Sequence, residues 1–152
     1  MPGIQIVIDC ADAARLVQFW SLVLDYVPSP PPPDFATWND WYRSVGVPDD
    51  ELDLTGDGTD RLVDPNGAGP PIWFQPVPEG KSVKNRLHLD IYVGRDEKGA
   101  KFPYAERRQR VRAKADQLIA AGARELRSEE APEYDRFSVT LADPEGNEFC
   151  LV

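Results

Sequence analysis

The stretch from Asp143 to Val152 reads DPEGNEFCLV, and a closely related stretch stands about half a chain earlier. From Asp64 to Val77 the chain reads DPNGAGPPIWFQPV, which is again a D-P-x-G turn sequence followed by a short apolar strand. Placing the two strands in register superposes Gln75 on Cys150. A repeated supersecondary unit explains this similarity, and chance likeness between two amphipathic segments is the alternative.

Each half also opens with an alternating strand. The apolar residues are Ile4, Ile6 and Ile8 in the first strand and Leu87, Leu89 and Ile91 in the second. Superposing Gln5 on His88 brings the two sets together. Apolar residues at helical spacing follow, up to about Tyr26 in the first half and from about Tyr104 to Ala121 in the second. We therefore predict an α+β fold, with one module over residues 1–78 and another over 84–152.

The segment between the first helix and the first repeated turn is irregular. The proline run at 30–33 cannot continue a helix and predicts an extended connector. Residues 37–45 predict a short helix that Thr37 caps, and residues 48–60 predict a loop. Short strands are expected near 60–63 and 72–77, and in the second half near 125–128, 137–141 and 148–152.

Composition excludes several classes of function. The net charge is −9, so the clustered positive charge that nucleic-acid binding needs is not expected. No apolar run approaches the ~20 residues of a membrane-spanning helix. The N-terminus lacks signal-peptide features, and two cysteines are too few for a disulfide framework. These features predict a cytoplasmic protein whose acidic surface either serves solubility or attracts a cationic ligand.

Alternation along the strands separates two faces. One face is apolar and is assigned to the helices: Ile4, Ile6, Ile8, Phe74, Leu87, Leu89, Ile91, Phe149 and Leu151. The other face carries Gln5, Val7, Asp9, Trp73, Gln75, Val77, His88, Asp90, Tyr92, Glu148, Cys150 and Val152. This second face mixes polar and aromatic groups, which is typical of a concave ligand pocket. A solvated sheet face or an oligomer interface is the alternative.

The order of these motifs resembles the vicinal oxygen chelate superfamily, and its glyoxalase-like branch in particular. The segments that carry the resemblance are PIWFQPVPE at 71–79, KNRLHLDI at 84–91 and DPEGNEFCLV at 143–152. The superfamily contains glyoxalases, extradiol dioxygenases, fosfomycin resistance enzymes and bleomycin-binding proteins. The resemblance implies two βαβββ modules whose mixed sheets curl around a central cavity, with the helices outside. It is loosest over 28–60, where a helix stands in place of an expected hairpin strand.

The resemblance also implies four metal-ligand positions in the cavity, two from each module. These positions are Gln5, Gln75, His88 and Cys150. Two amide oxygens are weak donors for a divalent ion such as Zn, Ni, Mn or Fe, whereas a cysteine thiolate favours zinc. Asp90 and Glu148 lie one strand repeat from His88 and Cys150 and are candidate replacements. A bound metal would act as a Lewis acid, with Glu148 as general base, and a lyase, isomerase or dioxygenase outcome stays open.

A metal-free binding protein is the alternative, similar to the drug-sequestering members of the superfamily. Trp73 and Tyr92 would stack on an aromatic or cationic compound, with Trp41 in a lid. The acidic complement would come from Asp9, Asp90 and Glu148. Arg86 either clamps a ligand carboxylate or pairs with an acidic neighbour. The resemblance implies a homodimer, and a non-catalytic interaction domain is a third possibility.

Overall fold

The computed structural model describes residues 3–152 and confirms the α+β prediction. The elements in chain order are β1 (Ile6–Cys10), α1 (Ala13–Leu24), β2 (Val27–Pro28), α2 (Trp38–Ser44), β3 (Arg61–Val63), β4 (Ile72–Pro76), β5 (Leu89–Ile91), α3 (Tyr104–Ala120), β6 (Arg124–Ala131), β7 (Arg136–Ala142) and β8 (Glu148–Leu151). The chain divides into two compact units, the first ending at Gly80 and the second beginning at Lys81. In the described part of the chain, no helix has the length and apolarity needed to cross a membrane.

The first unit is a four-stranded mixed sheet in the order β1-β4-β3-β2, with α1 against it. Strand β1 runs parallel to β4, whereas β3 is antiparallel to both of its neighbours. The Asp12 side chain caps α1 by accepting the Arg15 amide at 3.0 Å. Leu16 and Trp20 of α1 and Phe74 of β4 are buried, so they form the core of this unit.

Helix α2 confirms the predicted helix at 37–45, but it does not replace a hairpin strand as expected. Strand β2, which the sequence did not reveal, directly follows α1 and pairs with β3. The helix is therefore an insertion between β2 and β3, and the first unit keeps all four strands. Thr37 is the N-cap of this helix, because its side chain accepts a hydrogen bond from the Asp40 amide at 3.0 Å.

The second unit repeats the pattern with the order β5-β8-β7-β6. Strand β5 is parallel to β8, and the remaining neighbours are antiparallel. Helix α3 contacts β7 and buries Val111, Ala115 and Leu118. After the helix, Gly122 adopts a φ of 111°, which glycine tolerates and other residues rarely adopt.

Two apolar residues predicted to face the helices are exposed instead. Ile4 is 74% exposed and Leu87 is 76% exposed. Both precede the strands that were expected to contain them, since β1 begins at Ile6 and β5 at Leu89. By contrast, Phe74, Phe149 and Leu151 are fully buried, as the alternation predicts.

Candidate functional site

A cavity of about 440 Å³ lies on one face of the second unit's sheet. Its floor contains a row of four residues that crosses all four strands. Asp90 on β5 pairs with Cys150 on β8, Cys150 with Thr140 on β7, and Thr140 with Arg127 on β6. All four line the cavity. Because paired residues share one face of a sheet, these side chains project into the same space.

Three potential metal donors meet at one end of this row. A nitrogen of His88, a carboxylate oxygen of Asp90 and the Sγ of Cys150 all lie within 4.8 Å of one another. The His88 Nε2 is 3.6 Å from the Asp90 Oδ1, and the Thr140 Oγ1 is 3.4 Å from the Cys150 Sγ. Within residues 3–152, no other set of three His, Cys, Asp or Glu side chains converges in this way.

This donor set fits a divalent transition metal. Imidazole nitrogen, carboxylate oxygen and thiolate sulfur are the usual protein ligands of zinc, and catalytic zinc sites use three of them with one position left for water or substrate. Asp90, named from the sequence as a candidate replacement ligand, makes the set favourable, because a carboxylate is a stronger donor than an amide oxygen. His88 and Asp90 are exposed and Cys150 is half-buried, so an ion can reach all three.

The two glutamines assigned to the metal both belong to the first unit. Gln75 on β4 is half-buried and pairs with Asp9, which is exposed, whereas Gln5 precedes β1 and is exposed. In the second unit the residue that pairs with Cys150 is Asp90, and His88 stands two positions earlier. If Gln75 is matched with Cys150, the position in the first unit that corresponds to His88 is Val7. The alignment of Gln5 with His88 and that of Gln75 with Cys150 are therefore out of register with each other by one strand repeat.

Of the remaining predicted site residues of the second unit, one lines the cavity and two do not. Tyr92 lines the cavity, is 61% exposed, and carries the Arg95 guanidinium 4.7 Å from its ring centre. Glu148 is half-buried on β8 and pairs with Ala142. Among the described residues, neither Glu148 nor the exposed Arg86 belongs to the cavity lining.

The predicted stacking residues Trp73 and Trp41 take part in a polar and aromatic cluster within the first unit. The Trp73 Nε1 donates to the Asp60 Oδ2 at 2.7 Å, and the Tyr42 hydroxyl donates to the same oxygen at 2.5 Å. The Trp41 ring packs 5.0 Å from the Tyr42 ring. Trp73 and Trp41 thus contact the protein's own side chains, and Asp60 is a buried acceptor that no sequence pattern indicated.

Arginine completes this cluster. The Arg61 guanidinium lies 4.4 Å from the Trp38 ring centre and 5.3 Å from that of Trp73. Burial, followed by the hydrogen bond to Asp60, raises the pKa of Tyr42 well above its ordinary value. Tyr42 is therefore a neutral hydrogen-bond donor throughout the physiological range.

Several solved structures share the fold of this chain. A glyoxalase/bleomycin resistance protein/dioxygenase family enzyme from Burkholderia phytofirmans PsJN has a TM-score of 0.58 at 16% identity, over 97% of this chain and 94% of that one. A mutant of the fosfomycin resistance protein FosX from Listeria monocytogenes has a TM-score of 0.58 at 10% identity, over 99% and 89%. TioX from Micromonospora sp. ML1 has a TM-score of 0.50 at 12% identity, over 99% and 97%.

These likenesses define the fold of the vicinal oxygen chelate superfamily. The chain belongs to the glyoxalase-like domain family, since the sequence model of that family matches residues 5–152. The resemblance inferred from the three sequence segments is thereby confirmed. No curated protein matches the chain.

Proposed function

We propose that the protein binds a small oxygenated molecule in the cavity of its second unit, next to a divalent metal ion held by His88, Asp90 and Cys150. The observation that carries this proposal is the convergence of the three donors on the cavity lining. A mutant of FosX, a protein with a similar fold, was crystallised with Mn(II) and a dihydroxypropylphosphonic acid. That complex supports a metal-linked role for this type of cavity.

The residues around the donors have separate tasks. The Asp90 carboxylate lies beside the His88 imidazole, and a carboxylate at this end of the cavity favours binding of a cation. The Thr140 hydroxyl lies against the Cys150 Sγ and orients it, in the manner of outer-shell partners that position metal ligands. When bound, a metal with an open position supplies Lewis-acid activation of a ligand oxygen, and the thiolate donor favours zinc.

Metal-free binding of a cationic compound is the second candidate, and the charge of the lining disfavours it. Five lining residues are Arg or Lys, whereas three are Asp or Glu. An exposed aromatic surface at Tyr92 favours stacking on a flat ligand in either case. The cavity is therefore better suited to a neutral or anionic oxygenated molecule than to a cation.

We further propose that the chain is a cytoplasmic homodimer. Strand β1 is at the edge of its sheet and exposes Val7, which is 46% accessible. An unpaired edge strand with exposed apolar side chains favours pairing with another chain. Light scattering on the purified protein would give twice the mass of the chain if this holds.

Metal analysis tests the central proposal. Protein purified without chelator should contain about one metal ion per chain, and His88→Ala should weaken zinc binding by ~100-fold or more, because it removes a direct ligand. Loading with Co²⁺ should produce the absorption band of a thiolate bound to cobalt. Cys150→Ser should abolish this band.

The chain provides matched controls. Cys10 is the other cysteine, so Cys10→Ser should keep the cobalt band. Asp90→Asn should weaken zinc binding, whereas Asp116→Asn removes the same charge at an exposed site on α3 and should leave zinc affinity unchanged. A cobalt band that disappears in Cys10→Ser but persists in Cys150→Ser would refute the site.

A further inference from the structure

The cavity lining contains two groups in which a pair of cations shares one carboxylate. Arg127 and Arg136 both contact Glu129, at 3.3 and 3.1 Å. Lys101 and Arg107 both contact Asp135. Each group retains one uncompensated positive charge, although the whole chain carries −9. A local excess of one sign in a cavity concentrates ligands of the opposite sign.

The two groups differ in how free their cations are. Arg107 is buried, and its guanidinium also donates to the backbone oxygens of Phe102 and Asp135. Its hydrogen bond to Asp135, reinforced by Lys101, lowers the pKa of that carboxyl group. Arg107 therefore has a structural role. Arg127 and Arg136 are 60% and 66% exposed and retain guanidinium surface for a ligand.

The position of Arg127 gives the separation between this charge and the metal donors. In the row across the sheet, Arg127 is two strands from Cys150 and three from Asp90. At about 4.8 Å per strand, the Cα atoms of Arg127 and Cys150 are roughly 10 Å apart. A molecule that extends along the row from the donors would place its far end beside Arg127.

We propose that the ligand of this cavity carries an anionic group, a carboxylate or a phosphonate, which Arg127 and Arg136 bind while its oxygens at the other end face His88, Asp90 and Cys150. This inference rests on the proposed metal-linked function and specifies the class of its ligand. Guanidinium groups suit this task because their planar donors match carboxylate and phosphonate oxygens. Thr140 lies between the two ends and offers a hydroxyl to the middle of the ligand.

Hydroxamates test the metal site and the anion site separately. They chelate metals through two adjacent oxygens, and an anionic arm can be added to them or left out. Acetohydroxamate has no anionic arm and probes the metal alone. Monohydroxamates of dicarboxylic acids with about three to five methylene groups add a carboxylate at a reach suited to the row. The matching terminal amides and phosphonates complete the series. Binding is measured calorimetrically on the zinc-loaded full chain at low and at moderate salt.

The carboxylate or phosphonate arm should improve affinity about tenfold or more over the amide, as a charge-assisted hydrogen bond does. Arg127→Gln and Arg136→Gln should each remove most of this gain and leave acetohydroxamate binding unchanged. Arg124→Gln is the matched control. Arg124 is exposed and lies on β6, as Arg127 does, but it does not line the cavity. It should retain the full gain.

The outcomes are distinguishable. If acetohydroxamate fails to bind the zinc-loaded protein, the metal-linked function fails, and this inference fails with it. If acetohydroxamate binds but the acids bind no better than the amides, or if Arg124→Gln reduces the gain as much as Arg127→Gln, only the anion site is refuted. A larger gain from one acid arm supports the site and identifies the anionic group that it prefers.

Discussion

Asp60 is the residue on which the polar cluster of the first unit depends. Its Oδ2 accepts hydrogen bonds from Tyr42 and Trp73, and its Oδ1 is 3.4 Å from the Arg61 Nε. A carboxylate that is 7% exposed is tolerated because it is paired with a cation and accepts hydrogen bonds. Removing one partner should therefore destabilise the unit more than an average surface substitution.

Tyr42→Phe should reduce the free energy of unfolding by about 1–3 kcal/mol at pH 7, because it leaves Asp60 with one donor fewer. The folded-state pKa of Tyr42 is raised, mainly by burial and then by Asp60. Its stabilisation is therefore complete below pH about 10, where unfolded tyrosine ionises, and is lost as pH rises towards the folded-state pKa. Urea unfolding should show a constant difference between the proteins at pH 7–9 that shrinks above pH 10.

The exposed Tyr134 provides the comparison for this experiment. Tyr134 is 79% exposed, so Tyr134→Phe should not change the unfolding free energy at pH 7. Equal effects of the two substitutions would contradict the role assigned to the Tyr42–Asp60 hydrogen bond.

At the scale of the elements, α2 depends on its first turn. The helix is seven residues long, which is too short to be stable alone, so its N-cap and its packing both matter. Thr37→Ala should lower the unfolding free energy by about 1 kcal/mol, because the Asp40 amide loses its acceptor. Thr37→Ser should restore most of the loss. If Thr37→Ser lowers the unfolding free energy as much as Thr37→Ala, the stability comes from the methyl group of Thr37 and not from its capping hydrogen bond.

Elements with clear periodicity were predictable, and those that depend on pairing were not. Helix α3 was predicted to within one residue at its C-terminal end, because apolar residues recur at helical spacing. Strand β2 has two residues and exists only through its ladder with β3. Strand β6 was expected over 125–128 but spans Arg124–Ala131, since its charged sequence does not alternate and β7 holds it in place.

The same distinction explains the candidate site. His88, Asp90 and Cys150 were identifiable because both sequence segments that carry them, KNRLHLDI and DPEGNEFCLV, are recognisable motifs. Arg127 was not, because its place beside Thr140 depends on the register of two neighbouring strands. Trp73 has the residue type of a ligand-stacking group, yet its indole donates to Asp60, a partner from outside its own strand.

At the scale of the whole molecule, the two units share a strand order but carry different chemistry. The three metal donors belong to the second unit, whereas the first contains all four tryptophans of the chain. With Gln75 matched to Cys150, Val7 in the first unit corresponds to His88 and Asp9 to Asp90. In this matching the two units share the backbone pattern and one carboxylate, whereas Val7 and Gln75 stand where the second unit has His88 and Cys150.

This asymmetry predicts where a metal stabilises the molecule. Zinc at about 100 times its dissociation constant should stabilise the folded second unit by ~2.7 kcal/mol, because the metal binds the native state. Amides of β7 and β8 that exchange only on unfolding should then exchange about 100-fold more slowly, as measured by hydrogen–deuterium exchange of peptides from 136–151. His88→Ala should abolish this protection, while Asp116→Asn should retain it. Because β8 supplies Cys150 and pairs with both β5 and β7, unchanged exchange in these peptides would show that zinc is not held by this sheet.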